Sequence, residues 1–369
     1  MPSRQIHSSA DARRLARKRL PWMVFDYMDG AAGEEHGAAL NRRALQDIRL
    51  RTRVLVNVAE RDMALPVFDH YAKVPFGISP MGMCNMARPG ADLMLARLAA
   101  EYKVPHGVST VASTSLEKII EVADGHAWFQ LYFSGDGSTA MKLVDRADTA
   151  GYRTLVLTLD VPEVGRRPRE LRHGFKMPFR IGPSQFVDFA LHPRWSLNTL
   201  FNGKPEMANF SGADEFDRTE SRALADWDYL DRLRDRWKGK LVVKGVLDAD
   251  DALQLKKAGV DAIQVSSHGG RQLDAAIPPV LALGDIRTAV GPEFPLFYDS
   301  SLRTGEDVIK VLASGADFTF LGRILLYAIA SGGEAGLHIL WEVLMEEASL
   351  TLAQIGQTGP ALRDKDVIY

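Results

Sequence analysis

From residue 74 onward, short and almost wholly apolar runs alternate with longer amphipathic ones. The short runs are VPFGISP (74–80), HGVST (106–110), AWFQLYF (127–133), TLVLTLD (154–160), LVVKGV (241–246), DAIQVSS (261–267), PLFYDSS (295–301) and DFTFLG (317–322). Strands that are apolar on both faces are buried on both, as in a parallel sheet covered by helices. Between them, ADLMLARLAAEY, SLEKIIEVA, STAMKLVDRADTAG, ADDALQLKKAG and GEDVIKVLASG carry apolar residues at spacings near three and four, which predicts helices. Several open on Ser or Asp and close on Gly, as capped helices do. Eight strand–helix units in about 250 residues predict a (β/α)8 TIM barrel. A doubly wound open sheet is the alternative, and the number of units favours the barrel.

Two regions fall outside that repeat. Residues 1–73 form an N-terminal extension whose helical start, ADARRLARKRLPWMVFDYM, stops near Gly30. Residues 161–225 form a long insertion after the fourth strand. It contains FVDFALHPRWSLNTLF, suited to a lid, an oligomer contact or a membrane-surface patch. The whole chain, 1–369, reads as one domain, with the barrel over 74–330 and a helical segment over 331–369.

Composition narrows the function classes. The chain is 46% hydrophobic and 25% charged, ordinary for a globular protein, with a net charge of −2. Near-neutrality gives no general reason to expect nucleic-acid binding. Cys84 is the only cysteine, so an internal disulfide and a cysteine-rich zinc site are excluded, and no metal site is expected. The basic N-terminus lacks the apolar core of a secretory signal, and no run of about 18 uncharged apolar residues predicts a spanning helix. A cytoplasmic location is the expectation, with peripheral contact on the inner face of the membrane as an option.

A barrel of this kind carries its active site at the C-terminal ends of the strands. Reactive side chains recur there: Gln130 and Tyr132 after the third strand, Thr158 and Asp160 after the fourth, and Lys244 on the fifth. His268 and Arg271 follow the sixth, Asp299 and Arg303 the seventh, and Gly322-Arg323 the eighth. His268 is the candidate base, since imidazole exchanges a proton near neutral pH. Asp160 at the same rim would orient it. Arg167 and Arg271 can each fork onto a carboxylate, whereas Arg166 and Arg169 read as solvated surface arginines. Lys244 within LVVKGV needs an anionic or electron-rich neighbour. DSSLRTGED (299–307) and LGR (321–323) enter helices where barrels often bind phosphate.

These residues carry a resemblance. SSHGGRQLD (266–274) resembles the signature of the FMN-dependent α-hydroxy acid oxidases and dehydrogenases. FDYMDGAA (25–32), ISPMGM (78–83), FQLYF (129–133), LTLDVPEVGRR (157–167), LVVKGV, DSSLRTGEDVIKVLASGAD (299–317), FLGR (320–323) and GEAGLHILWEVLMEE (333–347) occur in family order. The resemblance implies an FMN-binding barrel that oxidises an L-2-hydroxy acid, lactate-like or mandelate-like, to the 2-keto acid. A quinone, a cytochrome or oxygen would take the electrons. It implies His268 as base, Asp160 as its support, Arg167 and Arg271 as the carboxylate clamp, and Tyr27 and Tyr132 as substrate phenols. Lys244 would lie beside the flavin, Ser109, Gln130 and Thr158 would touch its ring, and Asp299, Ser301, Arg303, Gly322 and Arg323 would hold its ribityl and phosphate. A homotetramer is also implied.

Some positions depart from the family pattern. Ser267 replaces an Asn, DSS (299–301) a DGG, and Ile324 a Pro. Val111 stands where glycolate oxidases have Trp. Gly82 stands where oxidases tend to have Ala and the membrane dehydrogenases Gly, and HPRWSLNTLFNGKP (192–205) is similar to bacterial lactate dehydrogenases. Two other readings follow from these departures: a relative acting on a larger aryl or peptide-derived substrate, and a flavin-binding partner protein without turnover.

Overall fold

The computed structural model describes residues 6–174, 182–203, 205–210, 221–363 and 365–369. The chain begins with α1 (Ser9–Arg19), capped by the Ser8 hydroxyl on the Asp11 amide at 3.1 Å, and α2 (Trp22–Asp29). Pro21 separates them, because its ring excludes a continuous helix. The single helical start read from the sequence is therefore two helices. After α3 (His36–Asp47), β1 (Leu65–Val67) and β2 (His70–Ala72) form an antiparallel hairpin.

The barrel follows. Its strands are β3 (Phe76–Met81), β4 (His106–Ser109), β5 (Ala127–Leu131), β6 (Thr154–Thr158), β7 (Lys240–Val246), β8 (Ala262–Val265), β9 (Leu296–Tyr298) and β10 (Phe318–Leu321). All pair in parallel, and β10 closes on β3 with Phe320 opposite Gly77. Each of the eight apolar runs coincides with one of these strands, with β3 running one residue past its run and β7 starting one residue before, so the (β/α)8 reading holds. Helices α4 (Ala91–Tyr102), α5 (Leu116–Val122), α6 (Ser138–Thr149), α11 (Ala249–Lys257), α12 (Pro279–Val290) and α13 (Gly305–Ala313) cover the outside. The hairpin plugs the N-terminal mouth: Phe68, in its turn, packs on Trp128 and Phe297 with ring centres 5.4 Å from each.

Between β6 and β7 lie α7 (Pro168–Arg172), α8 (Pro183–Leu191), α9 (Pro193–Asn202) and α10 (Trp227–Arg236). Part of the insertion, residues 175–181, 204 and 211–220, lies outside the described residues. No residue of α9 is buried. After β10, α14 (Arg323–Gln354) runs to the C-terminal segment with one break at Gly333, whose φ is 63°. The boundary read at 330/331 thus falls inside one helical stretch. By length and hydropathy α14 would pass for a membrane span, yet most of it is buried, and it packs on α1 and α13. It is a core helix. Cys84 is buried too, and burial pushes its thiol well above the ordinary range.

Candidate active site

The strand ends open into a cleft with about 1410 Å³ of free space, counting the part open to solvent. Tyr27, Ser109, Tyr132, Arg167, Lys244, His268, Arg271, Asp299, Ser301, Arg303, Gly322 and Arg323 all line it. Gln130, Thr158 and Asp160 stand behind that lining at the ends of β5 and β6.

At the centre, His268 Nδ1 lies 2.9 Å from Asp160 Oδ1, and Nε2 lies 3.5 Å from the Tyr132 hydroxyl. Burial lowers the imidazole's proton affinity below the usual 6.5 by more than the Asp160 carboxylate raises it. The ring is therefore neutral at neutral pH and able to accept a proton. Burial and the Asp160 charge raise the Tyr132 phenol, so it stays protonated. Asp160 reaches the imidazole only because residue 245 is glycine. Gly245 sits at φ 102°, and a Cβ there would stand 2.5 Å from Asp160 Cβ.

Two guanidiniums face this pair. Arg271 donates to the carbonyls of Tyr27 at 2.9 Å and Gly30 at 2.6 Å, and to Glu170 Oε1 at 2.8 Å. Arg167 donates to the Arg271 carbonyl at 3.0 Å, to Gln272 Oε1 at 2.8 Å and to the same Glu170 oxygen at 3.3 Å. One carboxylate oxygen thus holds both cations convergent. Sequence reading missed Glu170, although its i,i+3 spacing from Arg167 on a short helix was a usable signal. It also missed Arg222, whose guanidinium lies over the Tyr132 ring at 5.3 Å and lines the cleft. No local pattern near residue 222 pointed there. Arg169 is not a solvated arginine: it binds Asp26, Asp29 and Glu35 under the site.

Deeper in the barrel, Ser109 pairs with Gln130 and Thr158 with Lys244 across the sheet. Gln130 Nε2 and Thr158 Oγ1 are buried polar atoms with no hydrogen-bond partner. At the end of the barrel strands, such atoms could meet the polar edge of a bound ring. Lys244 Nζ lies 3.1 Å from Asp299 Oδ2 and 2.7 Å from Ser266 Oγ. Burial alone would raise the Asp299 carboxyl, but Lys244 and the Ser266 and Ser79 hydroxyls hold it below the ordinary range. The Asp299 carboxylate is therefore turned towards Lys244. At the far end, burial and the nearby Arg303 charge push Arg323 down to about 10. Two mutually repelling guanidiniums beside the N-terminus of α14 suit a phosphate dianion. Taken together, the residues fit FMN: partners for a ring, an ammonium, and a cationic phosphate end.

Residues 16–368 match the family model described as FMN-dependent dehydrogenase. The chain is 38% identical over 362 residues to (S)-mandelate dehydrogenase of Pseudomonas putida, spanning 96% of this chain and 91% of that protein. It is 36% identical over 366 residues to an L-lactate dehydrogenase of Pseudomonas aeruginosa (strain LESB58), spanning 95% of each. Among solved structures, the monotopic membrane protein (S)-mandelate dehydrogenase superposes with a TM-score of 0.94 at 37% identity over 99% of both chains. Mandelate oxidase does so with 0.84 at 34% identity, covering 96% of this chain and 97% of that one. A closed parallel barrel, a cleft fitted to a flavin phosphate, and likeness along nearly the whole chain lead to one conclusion: this chain belongs to the FMN-dependent dehydrogenase family and is an FMN-dependent oxidoreductase.

Proposed function

We propose that the enzyme oxidises an (S)-2-hydroxy acid with an aryl or other bulky side chain, mandelate-like rather than glycolate-like, to the 2-keto acid. The observation that carries this reading is the His268–Asp160 pair facing the Arg167–Arg271 pair across one cleft. Arg167 and Arg271 hold the substrate carboxylate. Tyr27 and Tyr132 bind its oxygens. His268 Nε2 takes a proton from the substrate, and Asp160 stabilises the imidazolium that results. Bound FMN supplies the two-electron acceptor. Ser109, Gln130, Thr158 and Lys244 would hold its ring, and Asp299, Ser301, Arg303, Gly322 and Arg323 its chain and phosphate. Val111, Val161, Val164 and Met207 give the cleft an apolar wall, which supports the bulky substrate.

The acceptor we assign is a membrane quinone, reached from the inner face of the membrane. Phe186, Val187 and Leu191 of α8 and Leu197, Leu200 and Phe201 of α9 are each at least half exposed, with Phe201 at 83%. Six large apolar side chains exposed on two neighbouring helices suit the lipid interface. The Trp195 indole, 2.8 Å from the Met86 carbonyl, ties α9 to the barrel beside the cleft. A homotetramer remains part of the proposal, checked by mass in solution.

The test is anaerobic addition of (S)-mandelate, then L-lactate, to the FMN-loaded protein. Bleaching of the flavin band that is faster with mandelate supports the proposal. Faster bleaching by lactate would reverse the substrate assignment. No bleaching by either would favour a peptide-derived substrate or a partner protein without turnover.

A further inference from the structure

Ser266, Ser267 and Ser300 join the His268 turn to the Lys244–Asp299 pair. Three successive amides of that turn are each taken by a hydroxyl. The Ser267 and Gly269 amides both donate to Ser300 Oγ at 3.1 Å, and the His268 amide donates to Ser266 Oγ at 3.0 Å. Both hydroxyls then donate to a single carboxylate oxygen, Asp299 Oδ1, the Ser300 bond being 3.1 Å. The other oxygen of Asp299 meets Lys244. Ser267 Oγ lies 3.3 Å from Ser300 Oγ and accepts from Asn41 Nδ2 at 2.8 Å, which extends the network to α3.

The backbone explains why hydroxyls are needed. His268 and Gly269 have φ of 55° and 66°, so their amides converge into a concave group of donors. Converging buried donors require an acceptor. Ser300 itself has φ of 105°, a conformation that glycine adopts without strain and serine does not. A side chain kept under strain points to the side chain as what the position supplies.

We propose that Ser300 is a positioning residue for His268, fixing the turn that carries the imidazole through hydrogen bonds backed by Asp299. This rests on the reading of His268 as proton acceptor. Loosening the turn moves the imidazole away from Asp160, so the imidazolium loses its partner and the ring's proton affinity falls further.

The test uses Ser300→Gly in the FMN-loaded full-length enzyme, with Ser300→Ala beside it. Glycine removes the hydroxyl while relieving the backbone, and thermal unfolding of both variants checks that they are folded. With (S)-mandelate, kcat is expected to fall about tenfold with KM within about twofold, the scale of a net hydrogen-bond contribution rather than the sum of the hydroxyl's contacts. The acid limb of kcat/KM is expected to move to lower pH. The His268 ring resonance, identified by its absence in His268→Gln, is expected to titrate at lower pH, and FMN content is expected to match the wild type. Wild-type kcat and an unmoved His268 titration in Ser300→Gly overturn the proposal. Loss of FMN from that variant also overturns it, because Ser300 would then serve the cofactor. Retained turnover in His268→Gln would instead overturn the proposed function on which it rests.

Discussion

At the scale of the residue, the site turns on small clearances. A Cβ on Gly82 would stand 2.5 Å from Val111 Cγ2, closer than side chains tolerate. Gly82→Ala is therefore expected to lower the melting temperature, and Gly82→Ala with Val111→Ala to recover most of the loss, as thermal unfolding would show. His268→Gln is expected to lower kcat by about 10²–10⁴-fold while FMN stays bound, the scale of a lost general base. The pH dependence has a definite sign. His268 must be neutral to accept a proton, and burial sets its pKa below 6.5. kcat/KM is thus expected to fall as pH is lowered, with its midpoint below 6.5. A drop centred at or above 6.5 would contradict the burial argument.

At the scale of the element, two helices carry separable consequences. The C-terminal end of α2 carries Asp29, whose carboxylate is held by Arg13 at 2.6 Å, Arg169 at 2.9 Å and the Tyr327 hydroxyl at 2.6 Å. Burial raises the Asp29 carboxyl, but these partners outweigh it and hold it well below the usual range. A carboxyl lowered on folding stabilises the protein above its unfolded pKa, and that contribution drains away as pH falls through the folded value. Asp29→Asn is expected to cost about 3 kcal/mol at neutral pH and to flatten the acid side of the melting curve, since it leaves two guanidiniums without their shared carboxylate. For α9, Leu200→Asp with Phe201→Asp is expected to abolish co-sedimentation with vesicles while leaving flavin bleaching by substrate unchanged. Retained co-sedimentation would remove α9 from the membrane reading.

At the scale of the molecule, the barrel was legible because its strands are buried on both faces and its helices on one, so each element writes its period into the sequence. The reading erred where burial is not periodic. The break at Pro21 lay in plain view within an otherwise helical run. α3 and α7 were passed over because α3 buries only Gly37, Asn41 and Leu45 and α7 only Glu170, so neither shows a buried apolar stripe, and both are held by contacts with distant segments, such as the Gly37 amide on Asp274 at 2.7 Å. The site divides in the same way. Residues at strand ends, such as His268 and Lys244, were found because the barrel sets their place. Glu170 and Ser300 were not, because their value lies in partners that only folding supplies: two arginines for one, and the Ser267 and Gly269 amides of another loop for the other. The departures Ser267 and Ser300 looked like separate blemishes in two motifs, yet they face each other across 3.3 Å.

The solitary Cys84 has a practical consequence. Its thiol is enclosed and its ionisation suppressed, so thiol-directed dyes have little thiolate to attack in the native protein. A cysteine introduced at the exposed Leu200 would then be the one reactive thiol on the molecule. It would take a single fluorophore without prior removal of the native cysteine. A dye at that position would brighten or shift colour as α9 leaves water, making docking of the holoenzyme visible in real time while the flavin reports turnover from the same cuvette.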